Sequence, residues 1–252
     1  MLRIHLLEIK YEFLKLLRTP AYSLPTILFP ILFYLFFGVA MGQRQIGSVT
    51  MAAYMVATYG AFGVIGASLF GFGVTVALER GQGLLEAKRT TPMPISAYFV
   101  AKIAMAMIFS AAVVLGLMAT GILAAGVTLT LGQGLRLFAV LIAGSSTFCA
   151  FGLALGYFTS EKSAVPLVNL IYLPLSFLSG LWVPIAFLPK PLQTLAFFLP
   201  PYHLSQLALR AIGGGRPSLA TSTHVLALVA STALFIALAY LGYRRDEGKR
   251  FA

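Results

Sequence analysis

Few residues in this chain could carry out chemistry, and their spacing completes no catalytic motif. A P-loop, which binds the phosphates of ATP, has four residues between its glycines and a lysine followed by serine or threonine. The nearest match runs from Gly242 to Gly248-Lys249-Arg250, with one residue too many between the glycines and arginine after the lysine. We therefore expect this chain to bind neither ATP nor magnesium and to hydrolyse no ATP.

Thiol and hydroxyl chemistry is equally restricted. Cys149 is the only cysteine and lies in an apolar run, so the chain can form neither an internal disulfide nor a cysteine metal cluster. Gly66-Ala67-Ser68 resembles the nucleophile motif of rhomboid-type intramembrane serine proteases. That chemistry needs a histidine deep in a neighbouring helix, whereas His224 lies at the end of an apolar segment. The protease stays an alternative, but we predict no catalytic and no metal-binding residue.

Composition indicates the environment in which the chain folds. Hydrophobic residues make up 59% of the sequence and charged residues 10%, with a mean hydropathy of +0.91. A water-exposed surface needs more charge than this. The net charge of +11 comes from bases that flank apolar segments, so we do not expect a nucleic-acid partner. The composition predicts an integral, multi-pass membrane protein that contacts lipid.

Six apolar segments are long enough to cross a bilayer, which takes about 20 helical residues. They lie at about 21–41, 51–78, 103–128, 137–158, 164–187 and 222–243. None contains Asp, Glu, Lys or Arg, which argues against the buried ionisable groups of an ion-coupled carrier. The uncharged run from Gln45 to Leu78 is too long for one straight span. We expect it to tilt, to begin outside the hydrocarbon, or to kink near Gly60, Gly63, Gly66, Gly71 and Gly73.

The charged residues predict the orientation of these spans. Six spans place the N-terminus, the 79–102 loop, the 159–163 loop and the C-terminus on one side of the membrane. Thirteen of the 18 bases and all seven acids lie there. Because loops rich in Lys and Arg stay in the cytoplasm, we predict that both termini are inside. The predicted fold is an all-α polytopic membrane protein with six transmembrane helices in one domain, residues 1–252.

The 79–102 loop mixes apolar and charged residues in a way that favours contact with another protein. It predicts a short helix over 83–89, ended by Thr90-Thr91-Pro92 because the residue before proline avoids the α region. Ser96 is expected to cap the following helix, which continues into span three. Such a short helix suits docking into a groove of a partner protein, with an ordinary solvated loop as the alternative.

Segments before span one and after span five are also distinctive. Residues 1–19 place Leu2, Leu6, Ile9, Phe13 and Leu16 at helical spacing, which predicts an amphipathic helix lying along the membrane interface. Residues 188–218 are rich in proline and too interrupted to span. Two faces of small residues, Gly63-x-x-x-Ala67-x-x-x-Gly71 and Gly152-x-x-x-Gly156, would permit close helix packing within the chain or between subunits.

Two segments resemble the permease subunits of ABC-2 type transporters. The residues that match in the loop are Glu79, Arg80, Gly83, Leu84, Leu85, Glu86, Thr91, Pro92, Ser96 and Lys102, with Pro94 as a departure. The residues that match after span five are Ser179 to Pro184, Pro189, Leu192, Gln193, Pro200 to His203 and Arg210. The resemblance implies that the loop carries a coupling helix for a separate ATP-binding subunit. It also implies that the outer segment forms short, partly re-entrant helices.

From this resemblance we expect an ATP-driven exporter in a bacterial or archaeal plasma membrane, working by alternating access. Its partners would be two ATP-binding subunits, which carry the ATP and magnesium, and a second permease, either identical or homologous. The residues expected to couple to the ATPase are Glu79, Arg80, Gly83, Leu84, Leu85, Glu86, Lys88, Arg89, Thr91 and Pro92. An ATP-independent channel or a membrane assembly factor is the alternative.

The resemblance also implies a substrate path at the dimer centre, lined by spans one, two and five. The path residues expected on spans two and five are Tyr59, Phe62, Gly66, Phe70, Phe177, Leu181 and Trp182. Aromatic stripes of this kind also serve as packing or as interface anchors. An uncharged path suits a hydrophobic, amphipathic or lipid-linked cargo such as a drug, lipid or glycolipid, since a polyanion would need a polar lining.

Overall fold

The computed structural model describes residues 2–40, 42, 44–91, 93–215 and 219–248, and most of them are helical. The α-helices are α1 (Leu2–Leu17), α2 (Pro20–Phe33), α3 (Met51–Ser68), α4 (Thr75–Gly81), α5 (Leu84–Arg89), α6 (Ile95–Ala125), α7 (Leu131–Phe158), α8 (Ala164–Leu178), α9 (Lys190–Ala196), α10 (Pro200–Ala211) and α11 (Thr221–Gly248). A π-helical turn, Tyr34–Val39, extends α2, and another, Leu69–Val74, joins α3 to α4. A two-stranded antiparallel hairpin of β1 (Gln45–Ile46) and β2 (Val49–Thr50) precedes α3, and a 3₁₀ turn spans Ile185–Phe187.

Five helices in the described chain are long and apolar enough to cross a membrane. They are Tyr22–Val39, Met51–Gly81, Ile95–Ala125, Leu131–Phe158 and Thr221–Asp246, which correspond to predicted spans one, two, three, four and six. The chain is therefore an integral membrane protein with a mostly helical, polytopic architecture, consistent with the predicted all-α class. Predicted span five differs because α8 has only 15 residues, about 22 Å of helix. A turn at Gly180, where φ is 75°, follows soon after α8 ends.

The second span forms the centre of the bundle. Every residue of α3 is buried, as expected for a helix surrounded by other helices. The long uncharged run begins outside the helix, in the β-hairpin, and the π-helical turn Leu69–Val74 interrupts it farther along. Such π turns mark irregular positions within long helices. Both features agree with the expectation that this run could not form one straight span.

The small residues allow helices of this chain to approach one another closely. A Cβ on Gly73 would lie 2.6 Å from the carbonyl oxygen of Gly152, and a Cβ on Gly156 would lie 2.8 Å from that of Gly73. In the other small-residue face, Gly63 lies against Val113 and Gly71 against Tyr22. Both faces therefore serve packing within the chain.

Replacing Gly73 with alanine should lower the stability of the protein. The atoms nearest the added methyl belong to the backbone of α7, which cannot move aside as a side chain can. We expect a loss of about 1–3 kcal/mol, the usual cost of overpacking, measured by thermal unfolding in detergent. Gly132→Ala is the matched control, because a Cβ there meets no atom within 4 Å. Equal melting temperatures for the two variants would contradict this view of the contact.

The segments outside the spans agree with the predictions in part. Helix α5 begins one residue after the predicted start, and α9 and α10 form two short helices in the outer segment. The expectation that Ser96 caps α6 is wrong, because the helix already begins at Ile95 with Pro94 in extended conformation before it. The Ser96 hydroxyl lies 3.3 Å from Nε2 of His5 instead.

A histidine pair connects the outer segment to the last helix. Nδ1 of His203 in α10 lies 2.9 Å from Nδ1 of His224 in α11, and Nε2 of His203 lies 3.0 Å from the Phe197 carbonyl oxygen. Since two nitrogens can share only one proton, one ring donates and the other accepts. His224 thus holds two helices together.

Candidate functional site

A buried carboxylate, Glu79, lies near the end of α4 and gathers three donors from other helices. Its side chain is only 4% exposed. One oxygen accepts a hydrogen bond from Nζ of Lys15 in α1 and another from Nζ of Lys102 in α6, and the Lys102 nitrogen lies 2.9 Å away. The other oxygen accepts the Tyr98 hydroxyl at 2.7 Å. Glu79 therefore joins α1, α4 and α6 at one point.

Lys102 is the most deeply buried charge of this group, with no exposed side-chain surface. It also donates to Glu12 in α1, and its ammonium lies 5.4 Å from the centre of the Tyr98 ring. The carboxylates of Glu12 and Glu79 therefore face the ammonium groups of Lys15 and Lys102. We call Glu12, Lys15, Glu79, Tyr98 and Lys102 the Glu79 network. Burying a charge is costly unless it is paired and hydrogen-bonded, and this arrangement meets both conditions.

Helical spacing explains how the sequence builds the Glu79 network. Tyr98 and Lys102 are four residues apart on α6, and Glu12 and Lys15 are three apart on α1, so each pair shares one helix face. The charges of α1 thus pack against α6, whereas apolar Leu2 and Leu6 are exposed. Farther along the same helix, Leu16 and Phe13 pack in a cluster with Met105 and Phe109, so the predicted apolar stripe is exposed only in part.

The electrostatics of Lys15 reflect its position at the edge of the network. Partial burial alone lowers the pKa of this amine, because it disfavours the charged form. The hydrogen bond to Glu79 and the charges of Glu79, Glu12 and Glu8 outweigh burial and raise the pKa above its usual value. Lys15 therefore stays protonated throughout the physiological range.

Arg80, the next residue, connects α4 to α11 and to the end of α7. Its Nη1 donates to Asp246 in α11 at 2.8 Å, and its Nη2 donates to the carbonyl oxygen of Thr159 after α7. Its guanidinium also lies 5.9 Å from the centre of the Tyr157 ring. Adjacent residues of α4 thus bind the first and the last helices.

Helix α5 is fixed on one face and open on the other. Leu85 is 4% exposed and packs in a cluster with Phe72, Val76 and Tyr98. Lys88 donates to Glu8 in α1 and lies over the Tyr98 ring. The side chains of Leu84 and Glu86, in contrast, are exposed. The helix therefore presents a short surface that two interior contacts hold in place.

The ends of α5 follow from its local sequence. Gly83 precedes the helix with a φ of 71°, a left-handed conformation that glycine adopts without strain. At the other end, the hydroxyls of Thr90 and Thr91 donate to the carbonyl oxygens of Ala87 and Lys88. Two of the residues expected to couple fall outside this description: Pro92 as a whole, and the side chain of Arg89.

The expected coupling residues therefore separate into two groups. Leu84 and Glu86 lie on the exposed face of α5, whereas Glu79, Leu85 and Lys88 turn toward the bundle. Glu12, Tyr98 and Asp246 were not anticipated as members of the site. A tyrosine four residues before a lysine at the start of a long apolar helix is a signal that could have identified Tyr98.

Most of the expected path residues pack against one another in the interior of this chain. Phe62 stacks on Tyr172 with ring centres 4.8 Å apart, and Trp182 and Phe70 add edge-on contacts. The Tyr172 hydroxyl donates to the Phe62 carbonyl at 2.8 Å and lies against Gly66.

Two of the other path residues belong to the same hydrophobic core as Phe62 and Tyr172. Tyr59 and Leu181 are buried, and Phe177 is 41% exposed. Tyr172, which connects spans two and five, was missed because an aromatic residue within an apolar span resembles ordinary packing.

Comparison with known proteins gives this arrangement a context. The sequence profile of the ABC-2 type transporter family matches residues 6–212, which include the Glu79 network and α5. A protein of Bacillus subtilis (strain 168) named "Putative transport permease YvfS" is 25% identical over 236 residues, covering 94% of this chain and 95% of that protein. Family membership implies an ABC transporter system with an ATP-binding partner. This chain belongs to the ABC-2 type transporter family and is a transmembrane transport permease.

Proposed function

We propose that this permease exports a hydrophobic, amphipathic or lipid-linked substrate, with energy from a separate ATP-binding subunit that docks on α5. The observation that carries this proposal is the exposed face of α5, held against α1 and α6 by Leu85 and Lys88. A force applied to such a helix passes to its neighbours, because its interior contacts leave little room for independent movement.

The Glu79 network would transmit that force from α1 and α6 to the second span. The carboxylate of Glu79 belongs to the second span, and its donors belong to α1 and α6. Movement of α5 against α1 would therefore reach the central helix of the bundle through this group. We propose that this link converts ATP binding into alternating access. In that arrangement two ATP-binding subunits act on two permeases, whether identical or homologous.

The same proposal includes a topology. We propose six membrane crossings with both termini inside, in a bacterial or archaeal plasma membrane. The short α8, together with residues up to 187, would make the fifth crossing, and α9 and α10 would partly re-enter from the outside. Support comes from the bases, which concentrate beside Glu79 and Asp246 and are sparse on the opposite side.

We propose that the substrate path runs beside the aromatic cluster of Phe62, Phe70, Tyr172 and Trp182. Aromatic, uncharged side chains supply an apolar lining for a cargo of similar character. The exposed Phe177 lies on the same helix as Tyr172 and would face a second permease or the cargo. No described contact favours a protease, since Ser68 donates to the Val64 carbonyl and His224 pairs with His203.

A reconstituted transport assay tests the function. The permease is co-expressed with candidate P-loop ATPases, purified as a complex and placed in vesicles with labelled lipids, drugs or glycolipids. We expect an ATPase to co-purify, and movement of at least one cargo class to require ATP. Movement without ATP would favour a channel, and failure of every ATPase to bind would favour an assembly factor.

A further inference from the structure

Two adjoining cavities open where the cytoplasmic loop meets the ends of α7 and α11. Their volumes are about 290 and 410 Å³, and Arg80, Ser160 and Asp246 line both. We call the two together the Arg80 cleft. It lies directly after Phe158, the last residue of one candidate span, and beside the end of another, Thr221–Asp246. The Arg80 cleft therefore lies at the boundary between hydrocarbon and water.

Among the residues that the structure describes, three bases and two acids line the Arg80 cleft. Asp246 is already paired with Arg80, and Glu161 accepts a hydrogen bond from Gln82 at 3.1 Å. Lys162 and Arg245 are exposed and have no ion-pair partner among the described side chains. Asp246 is thus compensated by Arg80, and Lys162 and Arg245 together outweigh the one remaining negative charge, that of Glu161, among the described side chains.

Arg80 itself has one unused donor. Its two terminal nitrogens donate to Asp246 and to the Thr159 carbonyl, while its Nε is buried and has no hydrogen-bond partner in the described structure. A buried donor without a partner costs free energy, but Nε has almost no exposed surface, so an acceptor in the cleft reaches it only if the guanidinium turns. Phosphate oxygens are strong acceptors for this kind of group.

The Arg80 cleft also has an apolar part. Tyr157, Phe158 and Gly242 line the smaller cavity together with Arg245, and the Phe158 side chain is 52% exposed. A molecule in the cleft would thus meet both cations and an exposed aromatic side chain. Free phosphate would use only the cations, whereas a phospholipid would use both.

We propose that the Arg80 cleft binds the headgroup of an anionic glycerophospholipid. The phosphate diester contacts Lys162 and Arg245 beside Arg80, and the first carbons of the acyl chains lie on Phe158. Such a lipid would bridge the end of α11, the loop after α7 and the last turn of α4. The inference depends on the chain's position in a membrane and is independent of ATP coupling.

Binding of short-chain lipids to the purified permease tests the proposal without any ATPase. Dioctanoyl-phosphatidylglycerol and dioctanoyl-phosphatidylcholine are titrated separately, and bound lipid is counted by native mass spectrometry. The wild-type protein should prefer the anionic lipid. In the double variant Lys162→Gln/Arg245→Gln, we expect affinity for phosphatidylglycerol to fall about tenfold and affinity for phosphatidylcholine to stay unchanged.

The control removes the same number of charges elsewhere. Lys10 and Arg18 are exposed on α1, outside the Arg80 cleft, so Lys10→Gln/Arg18→Gln should keep the lipid preference. Equal losses in both double variants would mean general attraction to a basic surface and would overturn the proposal. Displacement of the lipid by excess inorganic phosphate would also overturn it, since the cleft would then accept a free anion. Unchanged binding in Lys162→Gln/Arg245→Gln would do the same.

Discussion

Replacing Lys102 with methionine is expected to destabilise the permease by about 3–5 kcal/mol, enough to reduce its abundance in the membrane. Lys102 is fully buried and donates to both Glu12 and Glu79. Methionine fills a similar volume but removes the positive charge, so two buried carboxylates would face each other with only Lys15 nearby. Removing one member of a buried ion pair costs more than the pair itself contributes, because the remaining charge has lost its compensation.

A second substitution separates lost charge from lost packing. Adding Glu12→Gln to Lys102→Met removes one of the stranded carboxylates, so the double variant should regain part of the lost stability. Thermal unfolding of the purified proteins measures the coupling as a double-mutant cycle. Lys10→Met, on the exposed side of α1, is the control and should unfold like the wild type. Additive losses in the cycle would mean that Lys102 and Glu12 do not interact, contrary to their contact.

The second large effect is expected on the exposed face of α5. The variants Leu84→Ala and Glu86→Ala should abolish stimulation of the ATPase and transport while the permease remains folded. Both side chains are exposed in the isolated chain, so their truncation leaves the interior intact. A residue central to a docking contact commonly contributes about 2 kcal/mol or more to binding, which lowers affinity by more than tenfold.

Leu85→Ala provides the contrast within the same helix. Leu85 is buried, so its truncation should cost about 2–5 kcal/mol of stability and impair coupling only as a result of that loss. Melting temperature, amount of co-purified ATPase and ATPase rate are compared for the three variants. The docking proposal would be wrong if Leu84→Ala and Glu86→Ala retained full ATPase binding. Equal destabilisation by all three would mean that α5 is only a structural element.

The sequence predicts the parts of this protein that depend on long-range composition. Membrane helices are recognisable from the sequence because a run of about 20 uncharged, apolar residues is long enough to cross the bilayer as a helix. Helices α6, α7 and α11 each contain such a run. Span five is harder, because the helix α8 ends near Gly180 although hydrophobic residues continue to Phe187. A hydropathy profile detects the apolar run but does not detect the turn at Gly180 that follows the helix.

Details of the site depend on contacts between residues far apart in the sequence. The charges at Glu12, Glu79 and Lys102 were visible as markers of the cytoplasmic side, but their pairing required α1 to lie against α6. Leu84 and Leu85 are identical in type, and only the packing of α5 separates the exposed one from the buried one. Sequence patterns therefore locate this loop and leave its inner and outer faces undetermined.

The last turn of α4 has a mechanical consequence for the whole bundle. Glu79 is bound to the first helix and Arg80 to the last, and the two side chains leave the same turn about 100° apart. Rotation of that turn must move α1 and α11 with it or break one of the two attachments. The last turn of α4 therefore couples the position of the first helix to that of the last helix.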